Sequence, residues 1–228
     1  MTQTLQRQRR RGGRRCRKSP RGIPWIVPGL VLLAGIIGGI LWLTRDTGLP
    51  GEGVAVPDYV EQDLLPVNEW SRPGLPLEEI NGVVIHYVGN PGTSAQANRN
   101  YFASLSSGEE GTYASSHFIV GLEGEVIQCV PLTEIAYASN ERNGDTVGIE
   151  VCHPDDTGAF SDLTYARVVE LTAWLCGTFR LDPEKDVIRH YDVSGKRCPL
   201  YFVDHPEAWD QFRADVAREM ENQAESRN

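Results

Sequence analysis

Five side chains in this sequence are of the types that metal-assisted hydrolysis uses: His86, Glu150, His190, Lys196 and Cys198. Glu150 stands inside the apolar run Val147-Gly148-Ile149-Glu150-Val151-Cys152. Acidic side chains are rarely buried unless they are paired or coordinate something. Glu150 therefore reads either as a buried ion-pair partner or as a catalytic or metal-linked carboxylate. His86 is the last polar group of the run Val83 to Val88, just before the turn-prone Gly89-Asn90-Pro91-Gly92. His190 and Cys198 flank a short loop, Tyr191 to Arg197. Two neutral imidazoles and one thiolate would leave Zn²⁺ one net positive charge and a fourth position for water, the layout of a catalytic zinc site. Spacing alone does not select these histidines, because a lone histidine on a strand is more often structural. His117, His153 and His205 are read that way, with His117 alternating onto a sheet face where it lines the floor of the site without being a ligand. Lys196 is either a solvated loop lysine or a positive charge set beside the site.

The elements that would position these residues follow from periodicity. Alternation along 83–88 puts Val84 and His86 on one face and Val83, Ile85 and Tyr87 on the other. The same rule at 147–152 separates Val147, Ile149 and Val151 from Gly148, Glu150 and Cys152. Ser94 caps a helix carrying Ala97, Tyr101 and Leu105. Ser116 to Val130 reads as a hairpin turning at Gly121 to Gly124. Leu163 to Phe179 is an amphipathic helix, with Val168, Leu171, Leu175, Cys176 and Phe179 on its apolar side. Val187 to His190 is a short strand opening into a loop. Asp204 with Glu207 resembles a capping box for a last helix whose inner stripe is Trp209, Phe212 and Val216. Strands and helices in this order predict an α/β fold, a central sheet flanked by helices.

Charge divides the chain. Ten of the 22 Lys and Arg fall within residues 1–45, which hold no Asp or Glu, so the remainder carries 12 basic against 31 acidic residues, a balance of −19. Residues 23–43 are uncharged and apolar, long enough as a helix to span roughly 30 Å of hydrocarbon. Trp25 and Trp42 sit at the two ends, and the Arg-rich run precedes the span, which predicts a cytoplasmic N-terminus. A cleaved signal peptide would have a shorter apolar core and a small-x-small site, which Leu41-Trp42-Leu43-Thr44 does not supply. A basic tail alone suggests nucleic acid; the adjoining span points to a membrane instead. The expected organisation is a basic cytoplasmic tail (1–22), a transmembrane anchor (23–43), a Gly/Pro-rich linker (44–63), a catalytic domain (64–221) outside the membrane and a short tail (222–228). Of the cysteines on the outer side, Cys129, Cys152 and Cys176 are either free and buried or paired in some combination.

Taken together, Val84-Ile85-His86, Ser116-His117-Phe118, Val147 to Cys152 and His190 to Pro199 resemble the type 2 N-acetylmuramoyl-L-alanine amidases. That family includes phage and bacillus-type lytic amidases and animal peptidoglycan recognition proteins. The likeness covers roughly Pro66 to Phe212, with the motifs in the family's order. It implies a zinc amidase fold with a central mixed sheet, and a metal held by His86, His190 and Cys198. It also implies Glu150 as the general base, Lys196 as the oxyanion's partner, and peptidoglycan as substrate. One departure is Ser116: some branches place a tyrosine there, so no tyrosine role carries over. Rival readings are a non-catalytic peptidoglycan-binding module, which typically lacks the cysteine, an amidase of soluble muropeptides, and a structural wall anchor.

Overall fold

A computed structural model of the chain describes residues 48–226. The expected tail at 1–22 and membrane span at 23–43 lie outside those residues. No helix among the described residues is long and apolar enough to cross a membrane.

Six strands form one sheet: β1 (Val60–Gln62), β2 (Gly82–Ile85), β3 (Phe118–Val120), β4 (Val126–Gln128), β5 (Thr146–Val151) and β6 (Val187–Arg189). Their order across the sheet is β1-β4-β3-β5-β2-β6. β3 and β4 are the antiparallel hairpin that the sequence predicts, and every other pairing is parallel, so the sheet is mixed. Parallel strands covered on both faces read as nearly continuous apolar runs, and all four residues of β2 are buried.

Alternation splits the sheet into two apolar layers. Val83, Ile85, Val147, Ile149 and Val151 face one side, where they pack against α2 (Asp162–Phe179) and α5 (Pro206–Ser226). Ile119, Ile127, Cys129 and Cys152 face the other, against α1 (Ala95–Ser104) through Ala95 and Phe102. Ser94 Oγ accepts the Ala97 N–H as the predicted cap of α1, and Ser161 Oγ does the same for α2 at Thr164 N. Trp209, Phe212 and Val216 are buried along α5, as its stripe predicts.

Four local expectations differ from the structure. The folded region begins before residue 64: β1 pairs with β4, and Val54, Val56 and Tyr59 pack on the core. A segment rich in Gly and Pro can still supply a three-residue edge strand, because the edge position needs hydrogen bonds on one side only. Asp204 does not cap α5; it ends α4 (Leu200–Asp204) and pairs with the Arg197 guanidinium. His190 does not open a loop. It is the first residue of α3 (His190–Ser194), whose N-terminal end is fixed by Asp192 Oδ2 accepting the Arg189 N–H at 2.9 Å. α5 also runs to Ser226, beyond the expected boundary at 221.

Candidate active site

β5, β2 and β6 are neighbours and parallel, so their C-terminal ends open on the same edge of the sheet, where α/β folds place ligands. The register fixes who meets whom. Ile85 lies opposite Ile149 on one side and Arg189 on the other. One residue further along, His86 is therefore level with both Glu150 and His190. β2 ends at Ile85, yet the backbone stays pinned: the His86 N–H donates to Ile149 O at 2.9 Å and the Val88 N–H to Val151 O at 3.1 Å.

Cys198 arrives by a return of the chain. Gly195 adopts φ 75° and ends α3, a left-handed position that glycine takes without strain. Tyr191 N then donates to Cys198 O at 2.8 Å, closing the loop so that the thiol faces the strand ends. Cys198 Sγ lies 3.9 Å from His86 Nδ1, and the His86 and His190 ring centroids are 4.6 Å apart. One ligating atom from each of His86, His190 and Cys198 falls within 4.8 Å of the others. Glu150 Oε1 stands 4.0 Å from His86 Nδ1, with its side chain 18% exposed. Its other oxygen, Oε2, is buried without a hydrogen-bond partner. The four groups, with Lys196, line a cleft of about 720 Å³ whose walls include Tyr113, Tyr137 and Asn143.

Electrostatics suits a cation here. Burial holds both imidazoles below their ordinary range; His190 and Lys196 add to the effect at His86, as Lys196 does at His190. Both rings are thus neutral, with a lone pair to give. Burial, then the Glu150 carboxyl, pushes the Cys198 thiol up to about 12. Burial also raises Glu150 to about 8, against the pull of Lys196. A divalent ion would reverse the last two, drawing the proton off the thiol and favouring the carboxylate. Donor–metal lengths of about 2.0–2.3 Å put the ligands of a tetrahedral ion roughly 3.5 Å apart. The 3.9 Å sulfur–nitrogen separation is close to that spacing. The donor set and the orphaned carboxylate oxygen therefore fit zinc.

The remaining candidates are structural. His117 is fully used: its Nδ1 accepts the Gly148 N–H at 3.0 Å and its Nε2 meets Glu134 O at 2.9 Å. It braces β5 and is not among the residues lining the cleft, so it is not the floor. His153 stacks on Tyr87 and His205 on Tyr201. Ser116 Oγ donates to Phe118 O and is wholly buried. Cys129, Cys152 and Cys176 are buried free thiols. The loop before β5 carries no sequence signal of a site. There Ser139 Oγ lies 3.2 Å from His86 Nε2 and Asn140 Oδ1 lies 3.3 Å from His190 Nε2.

Comparison with known proteins bears on the family of the chain. The family pattern described as N-acetylmuramoyl-L-alanine amidase matches residues 76–200. The chain is 32% identical over 183 residues to the N-acetylmuramoyl-L-alanine amidase BlyA of Bacillus subtilis, covering 72% of this chain and 48% of that protein. It is 32% identical over 169 residues to a probable N-acetylmuramoyl-L-alanine amidase of Bacillus licheniformis, covering 69% of this chain and 47% of that one. The chain thus spans about half the length of these relatives. Among solved structures, the catalytic domain of XlyA superposes with a TM-score of 0.57 at 27% identity, covering 69% of this chain and 98% of that one. A mutant endolysin from Bacillus subtilis gives 0.58 at 26% identity, covering 69% and 97%. The matched stretch contains β2, β5, β6 and all five residues gathered at the cleft, and on that match the chain belongs to the N-acetylmuramoyl-L-alanine amidase family.

Proposed function

We propose that the protein is a zinc-dependent amidase that hydrolyses the amide between the lactyl group of N-acetylmuramic acid and L-alanine in peptidoglycan. The observation that carries this reading is the approach of His86, His190 and Cys198 to within 4.8 Å, with Glu150 4.0 Å from His86. The names of the related proteins support the choice of bond.

His86, His190 and Cys198 would hold the ion, which supplies Lewis acidity toward a carbonyl oxygen and a water molecule. Glu150 takes a proton from the attacking water as its oxygen bonds to the carbonyl carbon. The same carboxyl returns that proton to the amide nitrogen as the C–N bond breaks, so one group serves as base and then acid. Its position near the C-terminal end of β5, lining the cleft with one oxygen unpartnered, keeps it available to the substrate rather than tied to a structural ion pair. Lys196, which also lines the cleft, stabilises negative charge developing on the carbonyl oxygen. The products are a lactyl carboxylate on the glycan and a stem peptide with a free L-alanine amine. The span at 23–43 anchors the chain, with the basic tail in the cytoplasm and the catalytic domain on the outer side, where the polymer is.

The test is digestion of purified peptidoglycan by the full chain in detergent, with products read by mass spectrometry. New N-terminal alanine on the stem peptides, lost with a chelator and regained with zinc, is the expected result. Retention of the polymer without cleavage would identify a binding module, and cleavage confined to soluble muropeptides would change the substrate.

A further inference from the structure

The loop ahead of β5 forms part of the cleft wall and touches both imidazoles. Ser139, wholly buried, places Oγ 3.2 Å from Nε2 of His86. The next residue, Asn140, places Oδ1 3.3 Å from Nε2 of His190. From this geometry we infer that Ser139 and Asn140 are positioning residues: each holds the far nitrogen of one imidazole, so that Nδ1 is presented to the metal. The inference rests on the zinc reading above.

The chemistry is that of a two-nitrogen ring. A neutral imidazole carries its proton on one nitrogen and a lone pair on the other, and only the lone pair can coordinate. A carboxamide oxygen accepts and does not donate, so Asn140 fixes the His190 proton on Nε2 and leaves Nδ1 bare. His86 obeys the same logic, since its Nδ1 is the nitrogen that faces Cys198 Sγ at 3.9 Å. With that nitrogen as ligand, Nε2 carries the proton and Ser139 Oγ accepts it.

The loop is built to stand there. Asn143 Oδ1 accepts the backbone N–H of both Ala138, at 3.0 Å, and Ser139, at 2.6 Å. Asn140 has φ 53°, a left-handed conformation that asparagine tolerates better than most residues. Gly148 on β5 makes room: a Cβ there would stand 2.9 Å from Ala138 Cβ and 3.8 Å from His86 Nε2. One loop therefore meets two ligands that follow different strands, His86 after β2 and His190 after β6.

The test uses the full chain in detergent with two readouts. Zinc affinity is measured by competition with a chromogenic chelator. In the zinc-free chain, NMR of ¹⁵N-labelled histidine reports which ring nitrogen carries the proton. S139A, and N140G, which keeps the left-handed backbone but removes the carboxamide, should each weaken zinc binding about 10- to 100-fold. Each should also raise the Nδ1–H form of the one histidine it faces and leave the other ring unchanged. N140D, which retains an acceptor oxygen, should restore affinity to within a few-fold of the parent. Parent-like zinc affinity and unchanged tautomers in S139A and N140G would overturn the inference, as would equal disturbance of both rings by either variant. A parent chain that binds no zinc would sink the zinc reading, while the tautomers of the zinc-free chain would still decide this one.

Discussion

Glu150 carries the sharpest consequences at the scale of single residues. If Glu150 is the proton carrier proposed above, it touches the reaction without holding the ion, so E150Q should lower turnover by roughly 10²- to 10⁴-fold while zinc stoichiometry stays at the parent value. Steady-state kinetics alongside metal analysis separates the two effects; parent-like turnover would remove Glu150 from the reaction. The same carboxyl has a signature in the metal-free protein. Burial raises it to about 8, so the folded chain keeps a proton that the unfolded chain releases near 4.5. A raised acid destabilises the fold progressively as pH climbs between those two values, and the loss levels off above about 8. His86, His117 and His190, all lowered by burial, act in the opposite sense as pH falls below 6.5. The melting temperature of E150Q minus that of the parent, both in chelator, isolates the carboxyl and should grow from pH 5 to pH 8. Cys198 makes the complementary case. A serine hydroxyl is neither soft nor ionised at neutral pH, so C198S should lose bound zinc at a chelator concentration that the parent withstands. Glu150 was readable in sequence because an acid inside an apolar strand has few excuses. Ser139 and Asn140 were not, because Ser-Asn before a strand is ordinary turn chemistry and their partners lie 53 and 50 positions away.

Elements differ in how openly they declare themselves. β2, β5, α2 and α5 carry strong periodicity, and the hairpin is marked by its glycines, so their existence and facing follow from pattern. α1 stands where its Ser94 cap predicts it, but it buries Ala95, Asn98 and Phe102 and leaves Ala97 and Tyr101 exposed. β1 has three residues in a Gly/Pro-rich stretch, and only its parallel pairing with β4 makes it a strand. The helical start at His190 was likewise hidden, since α3 is five residues held by an Arg189–Asp192 pair rather than by an apolar stripe. Where the layers divide, so should the effects of mutation. Phe212 is fully buried on α5 among Tyr165, Phe202 and Trp209. Those neighbours belong to the layer beneath the sheet, while Glu150 and His86 alternate onto the opposite face. F212A should therefore cost about 3–5 kcal/mol of stability by denaturant titration, the range for an aromatic removed from a packed core. Zinc affinity, measured on the folded fraction, should stay close to the parent value. A matching loss of metal binding would show that the two layers are not energetically separate.

For the whole molecule, the division of charge and the position of the cleft make one demand together. Residues 48–226 contain every strand that brings the site together, from the edge strand β1 to β6 and the α5 helix beneath them. The ten basic residues before position 46 lie outside that set, as does the apolar run at 23–43. If the leading part serves as an anchor, removing it should change where the protein resides and not what its cleft does. A chain beginning at Gly48 should remain in the supernatant when the parent sediments with membranes. It should match the parent's activity per bound zinc on soluble muropeptides. Orientation is then decided by a tag placed after Asn228. If clustered Arg and Lys hold the opposite end in the cytoplasm, protease added to wall-stripped cells should remove the tag from the full chain. A protected tag would reverse the topology and put the cleft on the side of the membrane where no polymer is. A full chain that stays soluble would instead leave the basic run without a membrane to meet. Only the domain from Gly48 onward would then account for reaching the substrate, with an acidic surface that gives no electrostatic help toward phosphate-rich wall polymers.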